Sequence, residues 1–266
     1  MKTILRGILL LLLFVGGWFL LSQIDYMERW GIKKMSEKSE AKLSEFVKEN
    51  IERTEEVIKD EAIKNKVDSI LKKVLRDNHF EDDQVKLMLI NKTEVNAFAL
   101  PSGYIIIHSG LIARCETPEA LAGVMAHELG HIKLNHIRKK LIKELGLAVV
   151  ISSTGGGSGE AARQITKTLS SSAYDRSLEQ DADKEAVKYL INAEIDPEPL
   201  ATFFYLLSAD QPDFMSDFAW LSTHPASEDR AEEIITLKNN YEFDGQFKSP
   251  LSDAGWQDLQ NSLNDL

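Results

Sequence analysis

Residues 124–136 read VMAHELGHIKLNH: a glutamate between two histidines, and a third histidine five positions on, inside an otherwise apolar run. The stretch sits within TPEALAGVMAHELGHIKLNHIRKKLIKEL, residues 117–145. Thr117 is a good N-cap and Pro118 fits a first helical turn. Leu121, Val124, Met125, Leu129, Ile132, Ile137 and Leu141 make a broad apolar face. Lys139, Lys140 and Lys143 lie near the C-terminal end, where the helix dipole favours cations. Residues 117–145 are therefore expected as one helix.

On a helix, side chains four apart share a face, with Cβ atoms about 5–6 Å from each other. His127 and His131 then present two imidazoles to one point, as two corners of a tetrahedral zinc require. Glu128 lies one step round the helix, where it can take a proton from zinc-bound water and return it to a leaving amine. Gly130 has no side chain, so another element can approach closely there. Two histidines and a glutamate without partners would be costly in so apolar a context. His136, five from His131, should point elsewhere, as a surface or capping residue.

Two histidines do not complete a zinc site. A histidine six positions after His131 would extend the motif, but Ile137 stands there. SLEQDADKEAV, residues 177–187, offers another ligand. Glu179 and Asp183 are four apart on an expected helix of residues 177–192, with Ala182 and Ala186 beside them to permit close packing. Glu179 is expected as third ligand and Asp183 as the acceptor that fixes a ligand histidine's tautomer. Cys115 keeps a deformylase-type reading open, with cysteine as the third ligand.

HELGH, then SLEQDAD, then THPASEDR at residues 223–230 resemble zinc metallopeptidase family M48, which includes HtpX-type, CaaX-endopeptidase-type and BepA-type peptidases. NAFALPSGYIIIHSGLI, residues 96–112, resembles the hairpin preceding the metal helix in that family. The likeness runs over residues 71–237. It implies one Zn2+ per chain held by His127, His131 and Glu179, with Glu128 as catalytic base. It gives His224 a place near the metal, either stabilising the oxyanion or capping the ion, and it matches Arg230 to the arginine that follows. Ser102 departs from a usual glycine. A single apolar N-terminal segment, with no repeat domain after the catalytic part, places the chain nearest the single-span or periplasm-facing members.

The 266 residues carry a net charge of -11, so a nucleic-acid partner is not expected. One cysteine permits no intrachain disulfide. Lys2 and Arg6 precede an unbroken apolar run over residues 8–21, and no alanine occurs before Ala41 to complete a small-x-small cleavage site. Residues 1–24 are read as an uncleaved signal anchor, with the catalytic body on the periplasmic or extracytoplasmic side. A charged helical stalk over 25–60, a zinc metallopeptidase domain over 61–240 and a polar tail over 241–266 complete the expected organisation. Within the domain, VKLMLI and GYIIIHSGLI are rich in β-formers and bounded by turn residues at 91–92 and 102–103, giving about three strands. The fold class is mainly α with a small sheet (α+β), zincin- or gluzincin-like. The expected activity is endopeptidase cleavage of misfolded or damaged envelope proteins, with peptide pairing on the sheet edge near residues 96–107. A latent zinc-stabilised adaptor or chaperone is the non-enzymatic alternative.

Overall fold

A computed structural model describes residues 6, 37–81, 84–146, 150, 159–209, 219–225 and 228–266. The expected anchor and the first part of the stalk lie outside the described residues. Among the described residues, no helix is long and apolar enough to cross a membrane.

The chain begins its described course with α1 (Glu37–Thr54) and α2 (Glu61–Arg76). Asp60 caps α2, its Oδ1 accepting from the amides of Ala62 at 2.8 Å and Ile63 at 3.0 Å. Ile63, Val67, Ile70, Leu71, Val74 and Leu75 recur at helical spacing and bury one face. α1 is no free stalk: Leu43, Val47 and Ile51 are buried, the Ser44 hydroxyl accepts from the Ser102 amide at 3.0 Å, and Arg138 pairs with Glu40 at 2.5 Å.

Three strands follow: β1 (Lys86–Ile90), β2 (Ala97–Ala99) and β3 (Tyr104–His108), in the order β1-β3-β2. β1 runs parallel to β3 and β2 antiparallel to it. The turn between β2 and β3 needs Gly103: its φ is +91°, and a Cβ there would stand 2.1 Å from the Gln84 carbonyl oxygen. β3 is thus the central strand, so the expected peptide-pairing edge at 96–107 is confined to β2. His108 donates to Asn96 and Leu100 to Tyr104, which leaves the amides and carbonyls of Ala97 and Ala99 facing away from β3.

After the short α3 (Ser109–Arg114) comes α4 (Pro118–Lys133), capped by Thr117 and buried on nearly every side. The expected single helix ends early. Asn135 takes left-handed backbone, φ +58°, and α5 (His136–Leu145) leaves on a new axis. Asparagine is among the few non-glycine residues that tolerate this conformation.

α6 (Gly159–Ser171) lies against α1, α5 and the outer edge of β2. α7 (Arg176–Asn192) packs directly on α4. A Cβ at Gly130 would meet the Ala182 carbonyl oxygen at 2.9 Å and Cα at 3.0 Å, so the backbones of the two helices touch, as the sequence led one to expect. α8 (Glu198–Ala209), α9 (Ala219–Thr223) and α10 (Glu228–Asn240) close the core over α4 and α7. Residues 241–266 are more than a tail: α11 (Asp253–Asn264) buries Trp256, Leu259 and Leu263, and Gln260 Nε2 donates to the Ile112 carbonyl at 2.9 Å.

Candidate metal centre

His127 and His131, one turn apart on α4, place their Nε2 atoms 3.0 Å from each other. α7 brings Glu179 over them, with Oε1 3.2 Å from His131 Nε2 and Oε2 3.5 Å from His127 Nε2. The loop after α9 adds His224, whose Nδ1 lies 3.1 Å from both His127 Nε2 and Glu179 Oε1. These four residues form a group whose ligand atoms all lie within 4.8 Å of one another. The sequence expectation of His127, His131 and Glu179 at one point is met in space, with His224 as a fourth member. All four are at most 1% exposed, so the cluster is sealed from solvent.

Around this group stands a second layer. Asp183 Oδ1 lies 2.9 Å from His127 Nδ1. That carboxylate fixes the His127 proton on Nδ1 and leaves Nε2 as a lone pair. Arg230 donates to Asp183 through Nε at 2.7 Å and Nη2 at 2.8 Å, reaches Glu179 Oε2 at 2.7 Å, and donates to the Pro225 carbonyl at 2.9 Å. One guanidinium therefore joins the two α7 carboxylates to the His224 loop.

Glu128, also fully buried, finds no hydrogen-bond partner for either carboxylate oxygen, and His224 Nε2 stands 3.3 Å from its Oε1. Trp220 stacks on His224 with ring centroids 4.9 Å apart, and its buried indole nitrogen is also unpartnered. Burial pushes the Glu128 pKa up to about 8, with Glu179 adding to the rise. Burial likewise lowers His131 and His224 to about 4 and depresses His127. Three imidazoles held neutral are three imidazoles in the ligating form. Burial opposes ionisation of Glu179, yet His224, His131 and His127 hold it well below the usual carboxylate range.

This donor set fits zinc. Nitrogen and carboxylate oxygen ligands in a buried group are what zinc takes, and arms of about 2.0–2.1 Å give a tetrahedral edge of roughly 3.3 Å. The observed separations of 3.0 to 3.5 Å bracket that edge. Were both Nε2 atoms to present lone pairs across 3.0 Å they would repel, and a cation between them would relieve this. The Glu128 carboxyl beside them is buried without a hydrogen-bond partner, and a cation here would favour its charged form.

Four participants escaped the sequence. His136 is buried and lies with Nδ1 3.0 Å from His131 Nδ1, against its expected surface position. The break at Asn135 is the reason: continuous helical geometry would have carried it away. Tyr174 stacks on His131 at 4.0 Å, and Lys140 is buried beneath Tyr174 instead of solvated at a helix end. Trp220 is the fourth. Cys115 is buried outside the cluster, and burial pushes its thiol far up, so it supplies no thiolate ligand here.

The profile of Peptidase family M48 matches residues 61–238. The metalloprotease LoiP of Escherichia coli is 30% identical over 59% of this chain and 64% of its own length. The mitochondrial metalloendopeptidase OMA1 of Schizosaccharomyces pombe is 25% identical over 63% of this chain and 51% of its own. The beta-barrel assembly-enhancing protease of Escherichia coli is 29% identical over 57% of this chain and 34% of its own. The chain thus spans less than two thirds of the length of these relatives.

Proposed function

The chain belongs to peptidase family M48, and from that premise we propose that it is a zinc-dependent endopeptidase. His127, His131 and Glu179 would hold the ion, and Asp183 with Arg230 would orient and neutralise the ligands. The observation that carries this is the convergence of three ligating side chains from α4 and α7 beside a buried, unpartnered Glu128. Zinc, when bound, supplies a Lewis acid that polarises the scissile carbonyl and makes water acidic enough to attack at neutral pH.

The remaining work falls to the chain's own groups. Glu128 takes a proton from the attacking water and delivers it to the leaving amine. The α4 and α7 walls exclude other water. An extended peptide pairs with the outward backbone groups of Ala97 and Ala99 on β2. In the closed arrangement His224 lies against Glu128 and the ligands, where substrate must come, and α6 covers the β2 edge through Asn96 Nδ2 donating to the Ser170 carbonyl at 3.3 Å. The protein is accordingly a latent protease: His224 caps the site, withdraws when substrate enters, and then offers a ring N–H to the oxyanion.

Residues 1–24 are proposed to anchor the chain in a membrane, with the catalytic body outside the cytoplasm. Misfolded or damaged membrane and envelope proteins are the proposed substrates. The name of the relative that enhances β-barrel assembly supports this reading. Casein cleavage by purified protein tests it. Chelator should abolish cleavage, and Glu128→Gln should lower it by about 10²–10⁴-fold. Equal cleavage by wild type and Glu128→Gln would remove the catalytic assignment.

A further inference from the structure

His127 and His131 are held from behind by different chemistry. Behind His127 stands a carboxylate, Asp183, itself held by Arg230. Behind His131 stands an imidazole: His136 Nδ1, 3.0 Å from His131 Nδ1, with ring centroids 5.1 Å apart. Two ring nitrogens at that distance cannot both present lone pairs, so one carries the hydrogen. If His131 Nε2 is to ligate, the hydrogen sits on its Nδ1 and His136 Nδ1 accepts. His136 then carries its own hydrogen on Nε2.

The ring of His131 is also held by its face. Tyr174 stacks on it with centroids 4.0 Å apart and planes 20° from parallel. Lys140 Nζ lies 4.1 Å from the Tyr174 centroid, and donates to the Leu169 carbonyl at 3.1 Å. Two groups so close to one ring centre cannot share a face, so tyrosine lies between ammonium and imidazole, in a cation–π contact on one side and a stack on the other.

We propose that His136 is a positioning residue that fixes the tautomer and ring orientation of His131, with the Tyr174–Lys140 stack as its lateral support. The proposal rests on the zinc site described above and deepens it. His136 supplies a neutral acceptor where a ligand histidine more often meets a carboxylate, carbonyl or water. It reaches that place only because the left-handed Asn135 folds α5 back toward α4.

Zinc affinity by chelator competition tests it on the full chain, beside the unfolding midpoint of the metal-free protein. His136→Phe keeps an aromatic ring and removes the acceptor, and should weaken zinc binding on the order of 10–100-fold with the metal-free midpoint little changed. His136→Gln, which restores an acceptor oxygen, should recover most of the affinity. His136→Ala forces no new atoms into the core and gives the same comparison should the phenylalanine variant not fold. Wild-type zinc affinity in the variants lacking an acceptor, or a glutamine variant no better than they are, overturns the proposal alone, provided wild type holds one zinc that Glu179→Ala loses. Wild type without zinc overturns the metal site as well.

Discussion

At the scale of single residues, buried charge gathers at Arg230. Its guanidinium is the partner of both Glu179 and Asp183, and all three side chains are nearly inaccessible to water. Removing one partner of a buried pair leaves an uncompensated charge, at a cost of about 3–5 kcal/mol. Arg230→Met should lower the unfolding free energy of the metal-free protein by that amount in a urea titration, and an unchanged midpoint would show that the guanidinium is dispensable. The side chains of this layer were unequally legible. His127, Glu128 and His131 were readable because helical spacing alone decides which face they share. Glu179 and Asp183 were readable because small neighbours and a four-residue interval accompany them. Lys140 misled, since a lysine late in a helix looks the same in sequence whether it meets the dipole in water or a tyrosine ring in the core. Tyr174 and Trp220 follow no pattern at all.

At the scale of elements, the touching backbones of α4 and α7 hold the site in register. A methyl group at Gly130 must displace Ala182, which carries Glu179 on the same helix. Gly130→Ala should therefore cost about 1–3 kcal/mol in denaturant unfolding and also weaken zinc binding, because pushing α7 outward withdraws a ligand. A loss of stability without any loss of zinc affinity would separate the two effects and refute the coupling. The helical stretches at 117–145 and 177–192 and the segments of β1 and β3 announced themselves by apolar period or flanking turn residues. The break at Asn135 did not, because Ile132, Ile137 and Leu141 carry the apolar pattern across it while the backbone departs from it. Nor did the central place of β3, since strand order is set by how the connections pack and not by local alternation.

At the scale of the whole molecule, residues 37–266 form one unit whose first and last helices both contribute to the core. α1 packs on α6, and α11 ties its buried Trp256 to the Glu116 carbonyl at 3.2 Å. A charged stalk and a polar tail were expected there because charged residues fill the first segment and polar ones the second; their few apolar residues are nevertheless spaced to bury one face. The sealing of the cluster also bears on the traffic of the ion itself. A chelator cannot reach a site whose ligands are closed to solvent until the fold breathes. At saturating chelator the stripping rate should stop rising with concentration and settle at the opening rate, and a rate that keeps climbing would mean a standing passage to the ion. The bound metal then serves as a clock, counting how often the protein opens before any substrate is known.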